Sequence, residues 1–145
     1  MRRLLFTVAI AGLLVSGYLF IAYATGGPIL CNTGHGCDVV RGSEYASFWG
    51  IPTPAYGMVY YILLAVGALL ATSERWSRMR WGLLALTTSG AAVSAYLTYL
   101  EAYVIEAWCS WCVASAVLAA AAYVLVLLGW RSAFTSINRD STLES

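Results

Sequence analysis

Residues 111–130, WCVASAVLAAAAYVLVLLGW, decide the architecture, because the stretch is long, apolar and free of charge. A helix needs about 20 such residues to cross the hydrocarbon core of a bilayer. Outward from this stretch, three further runs of the same character lie at about 4–24, 55–72 and 81–100. With 61% hydrophobic and 10% charged residues, the chain departs far from soluble-domain composition. The reading is an all-α membrane protein, a bundle of four transmembrane helices. Residues 1–131 form one domain, 25–54 are its sizeable outer loop, and 132–145 are expected to be a polar, frayed cytoplasmic tail.

Charge sets the orientation. All eight basic residues are arginine. Arg2 and Arg3 precede the first run, Arg75, Arg78 and Arg80 separate the second from the third, and Arg131 and Arg139 follow the fourth. Seven of the eight therefore share one side, leaving Arg41 opposite. Basic residues in short loops are retained in the cytoplasm, so both termini are expected there, in a cell membrane. Ala22-Tyr23-Ala24 could pass for a signal cleavage site, but the apolar run before it exceeds an ordinary signal h-region, so it is read as a retained helix. No charge falls within a span, which argues against an ion pump or a carboxylate proton relay. No repeat of helix pairs suggests a transporter, and a net charge of +1 gives no reason to expect nucleic acid.

Gly26-Gly27-Pro28 ends the first run. In the outer loop, GSEYASFWGIP offers Ser43 as an N-cap, apolar Tyr45, Phe48 and Trp49 at helical spacing, and Gly50 and Pro52 as stops. This predicts a short amphipathic helix lying in the outer interface, acting as a lid. Small residues such as Gly57, Gly67, Gly82, Ser89, Gly90 and Ser94 are read as helix-packing positions.

On this topology all four cysteines face the extracytoplasmic compartment, where disulfides persist. Cys109 and Cys112 stand three apart at a helix start, a spacing that allows a disulfide, and the helix N-terminus favours a thiolate. A staple over so short a span removes little chain entropy, so a redox-active pair is the better reading. Cys109 is expected to be the more exposed sulfur and Cys112 the deeper one, within reach of an apolar electron carrier. Cys31 and Cys37 enclose NTGHG, whose glycines let the chain close a bridge or open it. An exposed, flexible pair of this kind can meet a soluble dithiol protein and the deeper pair in turn. His35 is read as a solvated loop histidine. Four thiolates would also suit zinc, but the spacing is loose and one ligand would lie in the membrane, so no metal is expected. A c-type haem needs histidine where Val113 stands.

The loop CNTGHGC, the following CDVVRGSEYASFWGIP with Tyr56-Gly57, and the later CSWC, in this order among four helices, resemble the vitamin K epoxide reductase family in its short prokaryotic form. The resemblance covers nearly the whole chain. It implies a four-helix bundle around a quinone, with Cys31 and Cys37 shuttling electrons from a thioredoxin-like partner to Cys109, and Cys112 facing the quinone. It further implies that Ser43, Gly50 and Pro52 belong to the lid, and that Thr53 aligns with a quinone-binding amide of the animal enzymes. Ala116 stands where those enzymes carry tyrosine, which favours a respiratory quinone (ubiquinone, menaquinone or vitamin K type) over an epoxide. With no fused thioredoxin-like domain in the sequence, the partner is expected in trans.

The expected function is thus a quinone-dependent thiol-disulfide oxidoreductase supporting extracytoplasmic disulfide formation. Cys31, Cys37, Cys109 and Cys112 are the catalytic residues, and Cys112, Thr53, Ser43, Trp111 and Tyr96 are expected at the quinone. Tyr99, Tyr103 and Trp108 are further candidates for the pocket wall, although interfacial anchoring explains such aromatics as well. The rivals are an epoxide reductase proper and a non-catalytic scaffold stapled by disulfides. A second class of four-cysteine quinone reductases places its CxxC in the first outer loop, the reverse of this order.

Overall fold

A computed structural model describes the backbone of residues 2–31, 34–70 and 76–143, and the side chains of these except 76–78 and 132–143. Its elements are α1 (Arg2–Thr25), α2 (Gly36–Arg41), a 3-10 turn (Glu44–Ala46), β1 (Ser47–Phe48), β2 (Ile51–Pro52), α3 (Thr53–Leu70), α4 (Trp76–Tyr103) and α5 (Ser110–Leu143). Among the described residues, α1, α3, α4 and α5 are long and apolar enough to cross a membrane. They make an all-α membrane bundle. The apolar runs end where the helices do to within a few residues, except that α4 continues to Tyr103 and α5 to Leu143. The expected frayed tail is therefore helical up to Leu143. Arg75 and the end of the second run lie outside the described residues, as do the side chains of Arg78 and Arg139.

Helix α1 is the centre of the packing, with α3 and α5 against it and α4 against α5, while α3 and α4 meet only lightly. One core cluster joins Leu5 and Ala9 of α1 to Tyr61, Leu64 and Ala68 of α3, Leu83 of α4 and Ala122 and Val126 of α5. Small residues set the closest approaches, since helices in lipid associate through packing rather than a hydrophobic drive. The closest is at Gly12, where an added Cβ would overlap the Tyr61 ring. That ring cannot retreat, because its hydroxyl donates to the Ser115 carbonyl at 2.8 Å. We therefore expect Gly12→Val to cost about 1–3 kcal/mol, read as a lower thermal midpoint in detergent. Gly17→Val, with no atom within 4 Å of its Cβ, should stay within about 0.5 kcal/mol of wild type. Equal midpoints for the two variants would contradict this packing.

The outer loop differs from its expected form. Residues 43–50 make no amphipathic helix but a 3-10 turn and a two-stranded hairpin pairing Ser47 with Pro52 and Phe48 with Ile51. The reason lies at the tip. Trp49 and Gly50 both have positive φ, 51° and 76°, the requirement of a two-residue hairpin turn and incompatible with a helix. The Thr53 hydroxyl ties the 3-10 turn to α3 by donating to the carbonyls of Tyr45 and Ala46, and the Tyr56 hydroxyl ties the hairpin to it by donating to that of Phe48. A helix that composition did not suggest, α2, follows Cys31 and buries Cys37 and Val40. Arg41 at its end donates to the Gly27 carbonyl at 2.6 Å and pairs with Asp38 at 3.1 Å, so this arginine locks α2 to the end of α1.

Candidate active site at the cysteine end of the bundle

Both cysteine pairs lie at one end of the bundle, in one apolar cluster. Cys37 and Cys109 are buried there with Leu19, Ala22, Ile29 and Val40, and Cys31 and Cys112 pack against the same cluster. Cys31 and Cys37 are joined by a disulfide with their Cα atoms 6.0 Å apart, whereas Cys109 and Cys112 are thiols. The loop pair is thus less exposed than expected, because α2 begins at Gly36 and folds Cys37 inward. Cys31 remains the more accessible member, with Sγ 3.6 Å from the Ser110 hydroxyl. No group of residues suited to a metal ion occurs among the described residues.

Four contacts bring the pairs together. The indole N–H of Trp111 donates to the Leu30 carbonyl at 2.7 Å, beside Cys31. Its ring packs on Tyr18 at 4.9 Å, and the Tyr18 hydroxyl accepts the Leu30 amide at 3.1 Å. Gly36 lies directly against the Trp108 carbonyl, leaving no room for a side chain. Trp111 is therefore the brace between the two loops and stands off the cavity wall.

Cys109 occupies the N-cap of α5. Its Sγ accepts the Cys112 amide at 3.3 Å, satisfying one of the unpaired donors of the helix start. The neighbouring Cys112 thiol, with the pull of the Cys112 and Trp111 amides, holds the Cys109 thiol below its ordinary pKa despite burial and the nearby Glu101 carboxylate. This is the polarisation that an attacking or leaving sulfur needs. The order of exposure is the reverse of that expected. Cys109 is buried under the loop, while half-buried Cys112 opens onto the interior of the bundle.

That interior is a cavity of about 380 Å³, within the usual range for small-molecule sites. Its walls are mostly apolar, from Leu19, Leu86, Leu97 and Ile105, with Cys112 and Glu101 at the cysteine end. It opens sideways between α3 and α4, where Val59, Leu63 and Val93 form a rim, each more than half exposed. Ser43 and Thr53 line it, but their hydroxyls are committed to backbone carbonyls, Ser43 to Val40 and Thr53 to the 3-10 turn. Tyr96 lies outside the wall, 57% exposed on α4, and Tyr99 packs on Tyr103 at 5.0 Å. The aromatic groups that do line the cavity are Tyr23, Tyr45, Tyr56, Tyr60 and Tyr61. Of these, the Tyr60 hydroxyl is buried and without a hydrogen-bond partner.

Sequence reasoning missed Tyr60 because one tyrosine among apolar residues looks like core. It also passed over Glu101, one residue past the end of the third run. The structure buries it to 4% exposure. Helix α4 runs one turn farther, and the chain then folds back through Glu106, in the left-handed region at φ 54°, so that the Cys109 amide donates to Glu101 Oε2 at 3.2 Å. Its sequence signal was a carboxylate eight residues before a CxxC cysteine, at the edge of an apolar run.

A model of the vitamin K epoxide reductase family matches residues 3–127. An Arabidopsis thaliana protein, thiol-disulfide oxidoreductase LTO1, is 33% identical over 121 residues, or 78% of this chain. The chain spans about a third of that protein's length, 32%. A four-helix membrane bundle with two cysteine pairs at one end, matched along almost its whole length, is thus a member of the vitamin K epoxide reductase family.

Proposed function

We propose that this protein is a membrane thiol-disulfide oxidoreductase that draws electrons from a thioredoxin-fold partner and passes them to a quinone. The observation that carries the reading is Cys112, a thiol that belongs to the buried cysteine cluster and also lines the apolar cavity. The partner's thiolate attacks Cys31, the accessible sulfur of the loop disulfide. Cys37 leaves as a thiolate inside the cluster and attacks Cys109 when the Cys109–Cys112 bridge is closed. This frees Cys112 at the cavity. A second thiol of the partner releases Cys31, and the Cys31 thiolate recloses the bond to Cys37, leaving Cys109 and Cys112 reduced. A quinone bound in the cavity supplies the two-electron acceptor chemistry. The cavity fits such a head group in volume, in its apolar walls and in the spare Tyr60 donor. Ala116 also lines it and offers no hydroxyl, which supports a simple quinone rather than an epoxide as the acceptor. Arg2, Arg3, Arg80 and Arg131 belong to the opposite end, where Arg80 lies 4.8 Å over the Trp130 ring, so the cysteine end is assigned to the extracytoplasmic side.

The test is anaerobic reduction of a soluble quinone by a reduced thioredoxin-fold protein, with and without the purified chain. Catalysed turnover is expected. Its absence, with no cysteine changing redox state, would favour a stapled scaffold. Tyr60→Phe should raise the KM for quinone about fivefold at little cost in kcat, since one hydrogen bond to a buried donor contributes roughly 1 kcal/mol. An unchanged KM would remove Tyr60 from the binding site.

A further inference from the structure

The polarised dithiol leaves one group at its side without a role, the buried carboxylate of Glu101. Such a group is costly in apolar surroundings unless it is paired or neutralised. Among the described residues the ion pair of this region is Arg41 with Asp38, and no cation pairs with Glu101. What surrounds Glu101 instead is the reacting pair. Its Oε2 accepts the Cys109 amide at 3.2 Å, and it lines the cavity beside Cys112. The Cys112 amide donates to Cys109 Sγ at 3.3 Å, so both sulfurs and the carboxylate meet at the start of α5. Cys109 is the sulfur that Cys112 must bond to, and Glu101 is the carboxylate that shares the cavity wall with Cys112.

We propose that Glu101 is the acid–base group of the redox pair, taking the thiol protons as the disulfide closes and delivering them to the quinone. The inference rests on the reading of the protein as a quinone reductase. The S–H bond of Cys112 breaks and its proton passes to Glu101. The Cys109–Cys112 S–S bond forms, and the two electrons lost by the sulfurs reduce the quinone to the hydroquinone. Glu101 gives up that proton to one quinone oxygen, then carries the second proton of the pair to the other. The balance is dithiol and quinone to disulfide and hydroquinone, with the carboxylate regenerated. The titratable and charged groups around Glu101 are Cys109 at the N-cap of α5, Cys112 within it and Tyr23 from α1, and Arg41 of α2 also acts on Tyr23.

A purely structural role is the competing explanation, because the carboxylate also caps the start of α5. Glu101→Gln separates the two, since the amide oxygen still accepts the Cys109 N–H but carries no proton. The experiment is single-turnover oxidation of the pre-reduced protein by a soluble quinone, followed across pH 6 to 9. Wild type should show a nearly flat rate. Glu101→Gln should be slower by roughly 10²-fold near neutrality and should recover as pH rises, as expected for a lost general base. Glu101→Asp should recover part of the rate. A Glu101→Gln rate within twofold of wild type, with the same pH profile, overturns the proposal and leaves quinone reduction standing. Failure of wild type itself to be oxidised removes the underlying reading and the inference with it. Wild type carrying isotopically labelled glutamate provides the readout that no folding defect can obscure. Its infrared difference spectrum should show a transient protonated-carboxyl band as the disulfide closes, and absence of that band would likewise overturn the proposal.

Discussion

Cys112→Ser should abolish quinone reduction, lowering kcat by roughly 10³-fold or more, the scale on which loss of a reacting nucleophile is felt. The reason is positional. Of the four cysteines, Cys112 alone lines the cavity, so no other sulfur can pass electrons across that wall. The variant should also accumulate a mixed disulfide between Cys37 and Cys109, because the resolving thiol is missing while the buried pair of attacking sulfurs remains. Peptide mapping without reduction reads this bond directly. Cys31→Ser and Cys37→Ser should fail with a protein reductant but turn over with a small dithiol that reaches the Cys109–Cys112 bridge itself. If Cys112→Ser keeps more than a tenth of wild-type turnover, electrons leave by another sulfur and the assignment is wrong.

The second large effect is expected at Gly36, a residue with no chemistry of its own. An added Cβ would land on the carbonyl of Trp108, and a backbone atom cannot move aside as a flexible side-chain tip can. Gly36→Val therefore pushes the start of α2, with Cys37 next to it, away from the Cys109 loop. Misplacement of reacting groups by about 1 Å costs on the order of 10²-fold. Turnover driven by the protein partner should fall by that factor, while turnover driven by a small dithiol stays within a few fold. A parallel loss with both reductants would mean that the substitution damages the bundle rather than the docking of one loop on the other.

The spans were legible because lipid imposes a length and a polarity that few other structures share, and the cysteines because thiol spacing is chemically specific. The outer loop was not. Tyr45, Phe48 and Trp49 have the periodicity of an amphipathic helix, but the backbone at Trp49 and Gly50 turns through positive φ, which hydrophobic spacing does not encode. Exposure was misjudged for a related reason. A pair in a glycine-containing loop reads as mobile, yet Cys37 is buried because α2 folds against α1 and α5, a tertiary contact with no local signal. Trp111 and Tyr96 were expected at the cavity as aromatics near the CxxC. The first turns away to hold Leu30 and the second to the outside of α4, whereas Glu101, a carboxylate just past the third apolar run, lies inside.

The lateral opening between α3 and α4 changes what concentration means for this protein. A ligand entering past Val59, Leu63 and Val93 comes from the acyl-chain region, so the governing quantity is its mole fraction in lipid. Diluting vesicles in buffer leaves that fraction unchanged, while adding empty lipid lowers it. On the proposed function the partner protein at the other step is counted in the aqueous volume, so the two substrates would be read in two different phases, and saturation by one would be insensitive to the volume that controls the other.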